Sequence, residues 1–227
     1  MRSSDGDGIV AQADEDLQGR LIKEVFARAE EIADLHATIT SSRGDRFRAR
    51  LLHVLESKVD TAAIQEMAEE RGLREYRRHL NKLAKFSLIR VEPSAEGEEI
   101  IRTPLGEQAV NALRELERRL GIEEARSLYD ASLGTNSIRL FLRIYSCEKG
   151  VDWDTLKVRF TPAEIGRLSL FLPRSIEGIS AVDKLNEAGL VSYEDDGFIY
   201  MRPRRTRAFY QYLRSLLEIL QGYPDAG

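Results

Sequence analysis

Apolar residues recur along most of this chain at spacings of three, four and seven, the rhythm of helices with one buried face, and short alternating runs interrupt it in two places. Leu21, Val25, Ile32, Leu35 and Ile39 share one face, with Arg20, Lys23, Glu24, Glu30 and Glu31 on the others. They predict a helix over 17–40, in a segment that Ser41 to Gly44 brings to an end. Phe47, Leu51, Leu52 and Leu55 predict a short helix over 45–56, Val59 a minimal strand, and Thr61 the N-cap of a helix reaching Arg71. Gly72 turns the chain into a third helix over 73–86. Leu88 to Val91 and Glu99 to Arg102 then alternate as two strands about a turn at 93–97. Thr103-Pro104 opens a long helix over 104–120, striped by Val110, Leu113, Leu116 and Leu120.

Beyond residue 136 the same order begins again. Ile138, Leu140, Phe141, Ile144 and Tyr145 predict a helix over 137–146, and Asp152 or Asp154 can cap a short helix containing Leu156 and Phe160. Thr161-Pro162 starts a further turn or two of helix with Ile165, Leu168 and Leu170, which reads as an insert at 161–171. A helix over 176–188, capped by Gly189, leads to a hairpin: Leu190 to Glu194, the turn Asp195-Asp196-Gly197, and Phe198 to Arg202. A final helix over 205–221 closes the chain. The expected division is a loose polar tail at 1–16, an N-terminal helix at 17–44, a first domain at 45–121 with its long exit helix, a linker at 122–136, a second domain at 137–204, and a C-terminal helix and tail at 205–227.

Charge sharpens this picture at one place. The formal net charge is −4, yet residues 71–90 hold seven Arg or Lys against the single acid Glu75, a local +6 that leaves −10 for the rest. Cys147 is the only cysteine and His36, His53 and His79 are scattered, so neither an intrachain disulfide nor a zinc-ligand spacing is available. A reducing cytoplasm is the expected location, at the nucleoid if DNA is bound. No apolar run approaches the roughly 20 residues of a membrane span, so no membrane partner is expected. The chain shows no glycine-rich phosphate loop, no Ser/His/Asp set and no interpretable carboxylate pair, and it is expected to be non-enzymatic, with no cofactor and no metal. His53, beside Leu51, Leu52 and Leu55, reads as a core histidine, and Trp153 and Tyr145 as fillers of the second core.

The run from Tyr76 through Val91, the turn after it, and Thr103-Pro104-Leu105-Gly106 resemble winged-helix regulators of the MarR-like and PadR-like kind. Leu172-Pro173-Arg174-Ser175 ahead of Val182 to Val191 is similar to the phrase in which a recognition helix passes through a leucine and a glycine into a wing. The two resemblances cover about residues 45–110 and 137–205 and imply a mainly α fold with small β-hairpin wings (α+β): two tandem winged-helix domains plus N- and C-terminal helices. The same module serves repressors, polymerase-associated factors and protein adaptors, so fold alone does not select among them.

Duplex binding needs cations that displace condensed counterions and a helix that enters the major groove. With Tyr76, Leu80 and Leu83 inward, Arg74, Arg78, Asn81 and Lys85 fall on the opposite side, flanked by Arg77 and Lys82. Arg74, Arg78 and Asn81 suit base edges; Arg77, Lys82 and Lys85 suit phosphates. Arg202, Arg204, Arg205 and Arg207 cluster where the second wing returns into the last helix, and either grip a phosphate backbone or solvate a helix start. The acids at both wing tips, Glu96, Glu98 and Glu99 and then Glu194, Asp195 and Asp196, oppose minor-groove entry and suit a basic protein partner. The helices outside the modules, with Leu21, Val25 and Ile32 in the first and Phe209, Leu213, Leu216 and Leu220 in the last, can pair two copies in a homodimer or cap their own module's core. The expected function is a dimeric, DNA-binding transcription regulator acting on double-stranded DNA. The alternative is a tandem winged-helix adaptor that binds a protein partner, similar in layout to kleisin-interacting or polymerase-associated subunits.

Overall fold

The computed structural model describes residues 19–40, 47–55, 59–70, 76–95, 97–131, 133–146, 158–169, 181–193 and 199–222. The periodicity of the N-terminal segment produces two consecutive helices, α1 (19–27) and α2 (Ala29–Thr40), with a turn at Arg28 between them. There follow α3 (Phe47–Val54), β1 (Val59–Asp60), α4 (Thr61–Glu69), α5 (Tyr76–Lys85), β2 (Ile89–Ser94), β3 (Gly97–Arg102) and α6 (Pro104–Leu120). The second half runs α7 (Ile122–Asp130), α8 (Thr135–Tyr145), β4 (Val158–Phe160), α9 (Pro162–Ser169), α10 (Ala181–Glu187), β5 (Val191–Tyr193), β6 (Ile199–Met201) and α11 (Pro203–Gln221). The molecule is therefore mainly helical, with two small antiparallel sheets.

The two sheets have one topology. In the first the strand order is β1-β3-β2 and in the second β4-β6-β5, every pair antiparallel. Val59 and Val91 flank Ile100 in the first sheet, as Val158 and Val191 flank Met201 in the second. The repeat extends to individual backbone hydrogen bonds. At the end of α5, Ser87 N donates to Ala84 O at 2.8 Å and Leu88 N to Leu83 O at 3.0 Å; at the end of α10, Gly189 N donates to Asn186 O at 2.8 Å and Leu190 N to Leu185 O at 2.9 Å. Both are Schellman closures, and both put the first residue past the cap at positive φ, +50° for Ser87 and +66° for Gly189. The same apolar pairing seals each, since Leu83, Leu88, Leu185 and Leu190 are all fully buried. Thr103 N then returns to Leu88 O at 3.1 Å, and Arg202 N to Leu190 O at 3.2 Å. Each return delivers the chain to a proline in the first turn of a long closing helix, α6 or α11.

The structure revises the expected boundaries in three places. The stretch read as a linker at 122–136 contains α7, whose Ala125, Leu128 and Tyr129 are buried at helical spacing against α6. Phe160, expected on a short helix, lies in strand β4 opposite Ile199. The residues read as an insert at 161–171 are mostly α9, which occupies the same place in the order as α4, so the second half lacks no helix and holds no extra one among the described residues. A capping box starts α9: Thr161 N donates to Glu164 Oε2 at 2.7 Å and Glu164 N to Thr161 Oγ1 at 3.2 Å. Residues 1–16, Trp153, Leu156 and the segment 170–180 lie outside the described residues.

A single continuous core joins the halves, running from Val25 and Ile32 through Leu113 and Leu116 to Phe141, Phe209 and Leu213. At its centre α6 and α11 pack side by side and antiparallel. Arg204, in the first turn of α11, donates to Arg119 O near the end of α6 at 3.0 and 2.6 Å, while Leu105, in the first turn of α6, lies 3.3 Å from where a Cβ on Gly222 would stand. Tyr145 is buried as expected, stacked between Phe141 at 5.8 Å and Tyr210 at 4.5 Å. His53 is only half-buried, and lines an open concavity with Arg50, Val54, Met67 and Glu117 rather than sitting in the core.

The core also claims most of the residues expected to pair two copies. Val25, Ile32, Phe209, Leu213 and Leu216 are 0% exposed and Leu220 is 6% exposed, all packed inside this one chain; Leu21 is half-buried. Those six buried side chains have no surface left to offer a second copy, because α2 and α6 already cover α11.

Candidate nucleic-acid interface

Helix α5 is amphipathic with Leu80 and Leu83 turned into the core and Tyr76, His79 and Ala84 half-buried at its margins. Burying that stripe fixes where the remaining side chains point. Arg77, Arg78, Asn81, Lys82 and Lys85 are all exposed, and together they line one open concavity on the outer side of the helix. Four cationic side chains and one amide thus converge on a patch less than three helical turns long. Burial, and then the positive fields of Arg48 on α3 and of Arg78, push the Lys82 ammonium below its ordinary pKa. Lys85 leans over the Phe86 ring, 5.9 Å from its centre.

The β2–β3 hairpin folds back toward this helix. Arg77 Nη2 lies 3.4 Å from Glu98 Oε2 on β3, both side chains well exposed. Glu99 accepts a hydrogen bond from Ser94 Oγ at 3.1 Å, and Glu92 pairs with Arg90 at 2.9 Å. The acids of this hairpin are therefore partly occupied within it or against α5, which lowers the repulsion that the sequence pattern alone implies. A surface pair such as Arg77–Glu98 is worth only about 0–1 kcal/mol, so it does not bar Arg77 from a phosphate. Arg74, Glu96 and residues 194–196, expected as the second wing tip, lie outside the described residues.

The second half differs at the equivalent positions. Aligning the two Schellman closures sets Asp183 opposite Asn81, Lys184 opposite Lys82 and Glu187 opposite Lys85. Lys184, its side chain only 18% exposed, is tied to Glu187 at 3.0 Å, and Asp183 accepts from the Tyr193 hydroxyl at 3.2 Å. Burial first, and then Asp183, push that phenol up to about 12. The α10 face thus carries Asp183 and Glu187 beside Lys184, where the α5 face carries Asn81 and Lys85 beside Lys82.

The arginines at the start of α11 split into separate fates. Arg205, 14% exposed, reaches Glu124 Oε2 at 3.3 Å and Ser127 Oγ at 3.2 Å on α7, and Ala188 O at 3.3 Å at the end of α10. Half-buried, it is a staple between three elements, its guanidinium taken up by contacts within the chain. Arg204 is exposed but spends its guanidinium on the Arg119 carbonyl, and Arg202 is exposed at the head of α11. Of the nine residues expected to meet DNA, five come together on α5, two on α11 are taken up by internal contacts, Arg202 stands apart and Arg74 is not described.

Among the described residues no group of three or more His, Cys, Asp or Glu side chains is placed to hold a metal ion, and no helix is long and apolar enough to cross a membrane. Compared with protein-family models, characterised proteins and solved structures, the chain matches none.

Proposed function

We propose that each half of this chain is a winged-helix module and that the protein is a DNA-binding transcription regulator, with α5 as the element that enters the major groove. The observation that carries this reading is the outer face of α5: Arg77, Arg78, Asn81, Lys82 and Lys85, all exposed and sharing one concavity, on the helix that directly precedes a β-hairpin. A guanidinium can bridge the two acceptors of a guanine edge and a carboxamide can pair with adenine, so Arg78 and Asn81 are the base readers in this scheme. Lys82, Lys85 and Arg77 neutralise phosphates and set register. Fluorescence anisotropy with duplex oligonucleotides across a salt series tests it. Binding should weaken steeply with salt, Lys82→Ala should flatten the log–log slope by about 1, and Arg78→Ala should cost about 1–3 kcal/mol on the preferred sequence. Absence of duplex binding at low salt, or unchanged affinity in both variants, would sink the reading.

One observation supports the second reading, a protein-interaction adaptor. Asp183 and Glu187 stand where the first half has Asn81 and Lys85, so the α10 face suits a basic protein segment. A stoichiometric partner recovered with the full chain, retained by Arg78→Ala and released by the Asp183→Ala/Glu187→Ala pair, favours it over DNA binding.

A further inference from the structure

The homodimer expected from the sequence pairs two copies through the N-terminal helix or the closing one, and for the closing helix that means two copies of it meeting. The structure supplies that meeting within one chain. Carrying the repeat forward from the shared backbone bonds, in which Glu107 N returns to Thr103 O as Thr206 N returns to Arg202 O, pairs each α6 position with the α11 position 99 residues later. Eight of the ten residues that line the groove between the two helices, Ala112 with Gln211, Glu115 with Arg214, Leu116 with Ser215 and Arg119 with Glu218, form four pairs of equivalent positions; Ala208 and Tyr212 line it without their counterparts. A surface that meets its own equivalent across an antiparallel contact is the mark of an isologous interface. The ends agree, since Leu105 and Arg204, equivalent residues, each reach the far end of the other helix. The leading helices agree in one contact each, although α2 also packs on α8 and α3, to an extent that α7 does not match. α2, ahead of the first repeat, packs on α11 of the second; α7, ahead of the second repeat, packs on α6 of the first. His36 of α2 meets the Tyr212 hydroxyl at 3.2 Å, and Tyr129 of α7 donates to the carbonyl of Leu113, the equivalent of Tyr212, at 3.4 Å.

We infer that the chain is a covalent counterpart of a homodimer, its halves related by an internal pseudo-two-fold axis between α6 and α11, and that it works as a single copy presenting one basic face to a duplex site without dyad symmetry. The single-copy part rests on the core alone, because the faces that would pair two chains are consumed internally. The part about DNA rests on the proposed function. It follows from the asymmetry of the two faces: a protein of two equal reading helices selects inverted repeats, whereas here the second helix has Asp183 and Glu187 where the first has Asn81 and Lys85.

Light scattering coupled to gel filtration separates the two parts. The full chain should elute with a mass near 25.8 kDa over a wide range of concentration. A mass of twice that value would overturn the single-copy inference whether or not DNA is bound. A duplex selected from a randomised pool should then form a complex with one chain per duplex. Its enriched motif should lack two-fold symmetry, and an inverted repeat of it should bind no more than about twofold tighter, the statistical advantage of two independent sites. A palindromic motif, or two chains bound with strong cooperativity, would overturn the asymmetric-site inference. Failure to enrich any duplex would count against the DNA reading itself, and the mass would still decide whether the pairing is internal. Glu187→Lys adds a readout independent of folding: the variant should remain at the single-chain mass, because the substituted face lies outside the internal interface.

Discussion

Ser87 is the one non-glycine at positive φ among the described residues, and its counterpart in the second half is Gly189. The position is the first residue past a Schellman-closed helix, where an L side chain strains against the following carbonyl by about 1–2 kcal/mol. Glycine removes that strain but enlarges the freedom of the unfolded chain by about 0.4–1 kcal/mol. Ser87→Gly should therefore raise stability by about 0.5 kcal/mol, read from the urea midpoint, because the backbone carbonyl that accepts the Thr103 hydroxyl is retained. Gly189→Ala should move the opposite way and further. There the new Cβ would stand 1.8 Å from Arg205 Nη1, so the strain comes with displacement of the guanidinium from its partners. If Ser87→Gly lowers the midpoint, the serine is held by something other than backbone geometry.

At the level of elements, the two repeats cross the same point by different means. In the first, Gly106 lets α6 start against the Leu88 carbonyl, where a Cβ would come within 2.0 Å. In the second, the equivalent residue is Arg205, whose side chain runs over Gly189 to α7. Arg205→Met should cost about 2 kcal/mol, since Ala188 O, Ser127 and Glu124 all lose a charged donor, while leaving duplex affinity unchanged; thermal melting and anisotropy on one preparation check both halves of that statement. A loss of affinity at unchanged stability would return Arg205 to the DNA surface. This arginine also marks the limit of what sequence can reveal. Its partners on α7 lie 78 and 81 residues away, and a basic cluster at a helix start looks the same whether it meets phosphates or a neighbouring helix. By contrast α5 was legible, since Leu80 and Leu83 at helical spacing dictate the outward direction of Arg78 and Lys82. α9 is legible as a helix from its start at Thr161-Pro162, and α7 carries a local signal in Ala125, Leu128 and Tyr129 on one face. Gly121 and Gly134 make α7 read as a linker, and a short helix expected around Leu156 and Phe160, where β4 closes the sheet, makes α9 read as an insert and not as the counterpart of α4.

Over the whole molecule, the union of the halves depends on helices reaching across, and one such crossing contains a titratable group. His36 on α2 is fully buried, its ring edge-on to Tyr212 of α11 at 5.7 Å and its Nδ1 3.2 Å from the Tyr212 hydroxyl. Burial holds its pKa down, to about 4 from an ordinary 6.5, because the charged imidazole would lose its hydration. Tyr212 cannot compensate, since burial pushes its phenol well above the usual range and leaves it neutral. The sign follows from proton uptake. Between pH 6.5 and 4 the unfolded chain binds a proton at this site and the folded chain does not, so stability is complete above pH 6.5 and falls as the pH drops through that window. One group with that displacement accounts for about 3 kcal/mol across the window, a large share of the 5–15 kcal/mol typical of folded domains. The exposed carboxylates held low by arginines, Glu31 beside Arg28 and Glu115 beside Arg118 and Arg119, lose their contribution only below their ordinary value of 4.5, so they leave the upper part of the window to the histidine. Urea unfolding at pH 7 and pH 5 should show the wild-type chain about 2 kcal/mol weaker at the lower pH, whereas His36→Gln, which can keep a hydrogen bond to Tyr212 but has no proton to gain, should show little difference. A wild-type chain equally stable at both pH values would mean that His36 is open to water, and with it the contact by which α2 of the first repeat holds α11 of the second.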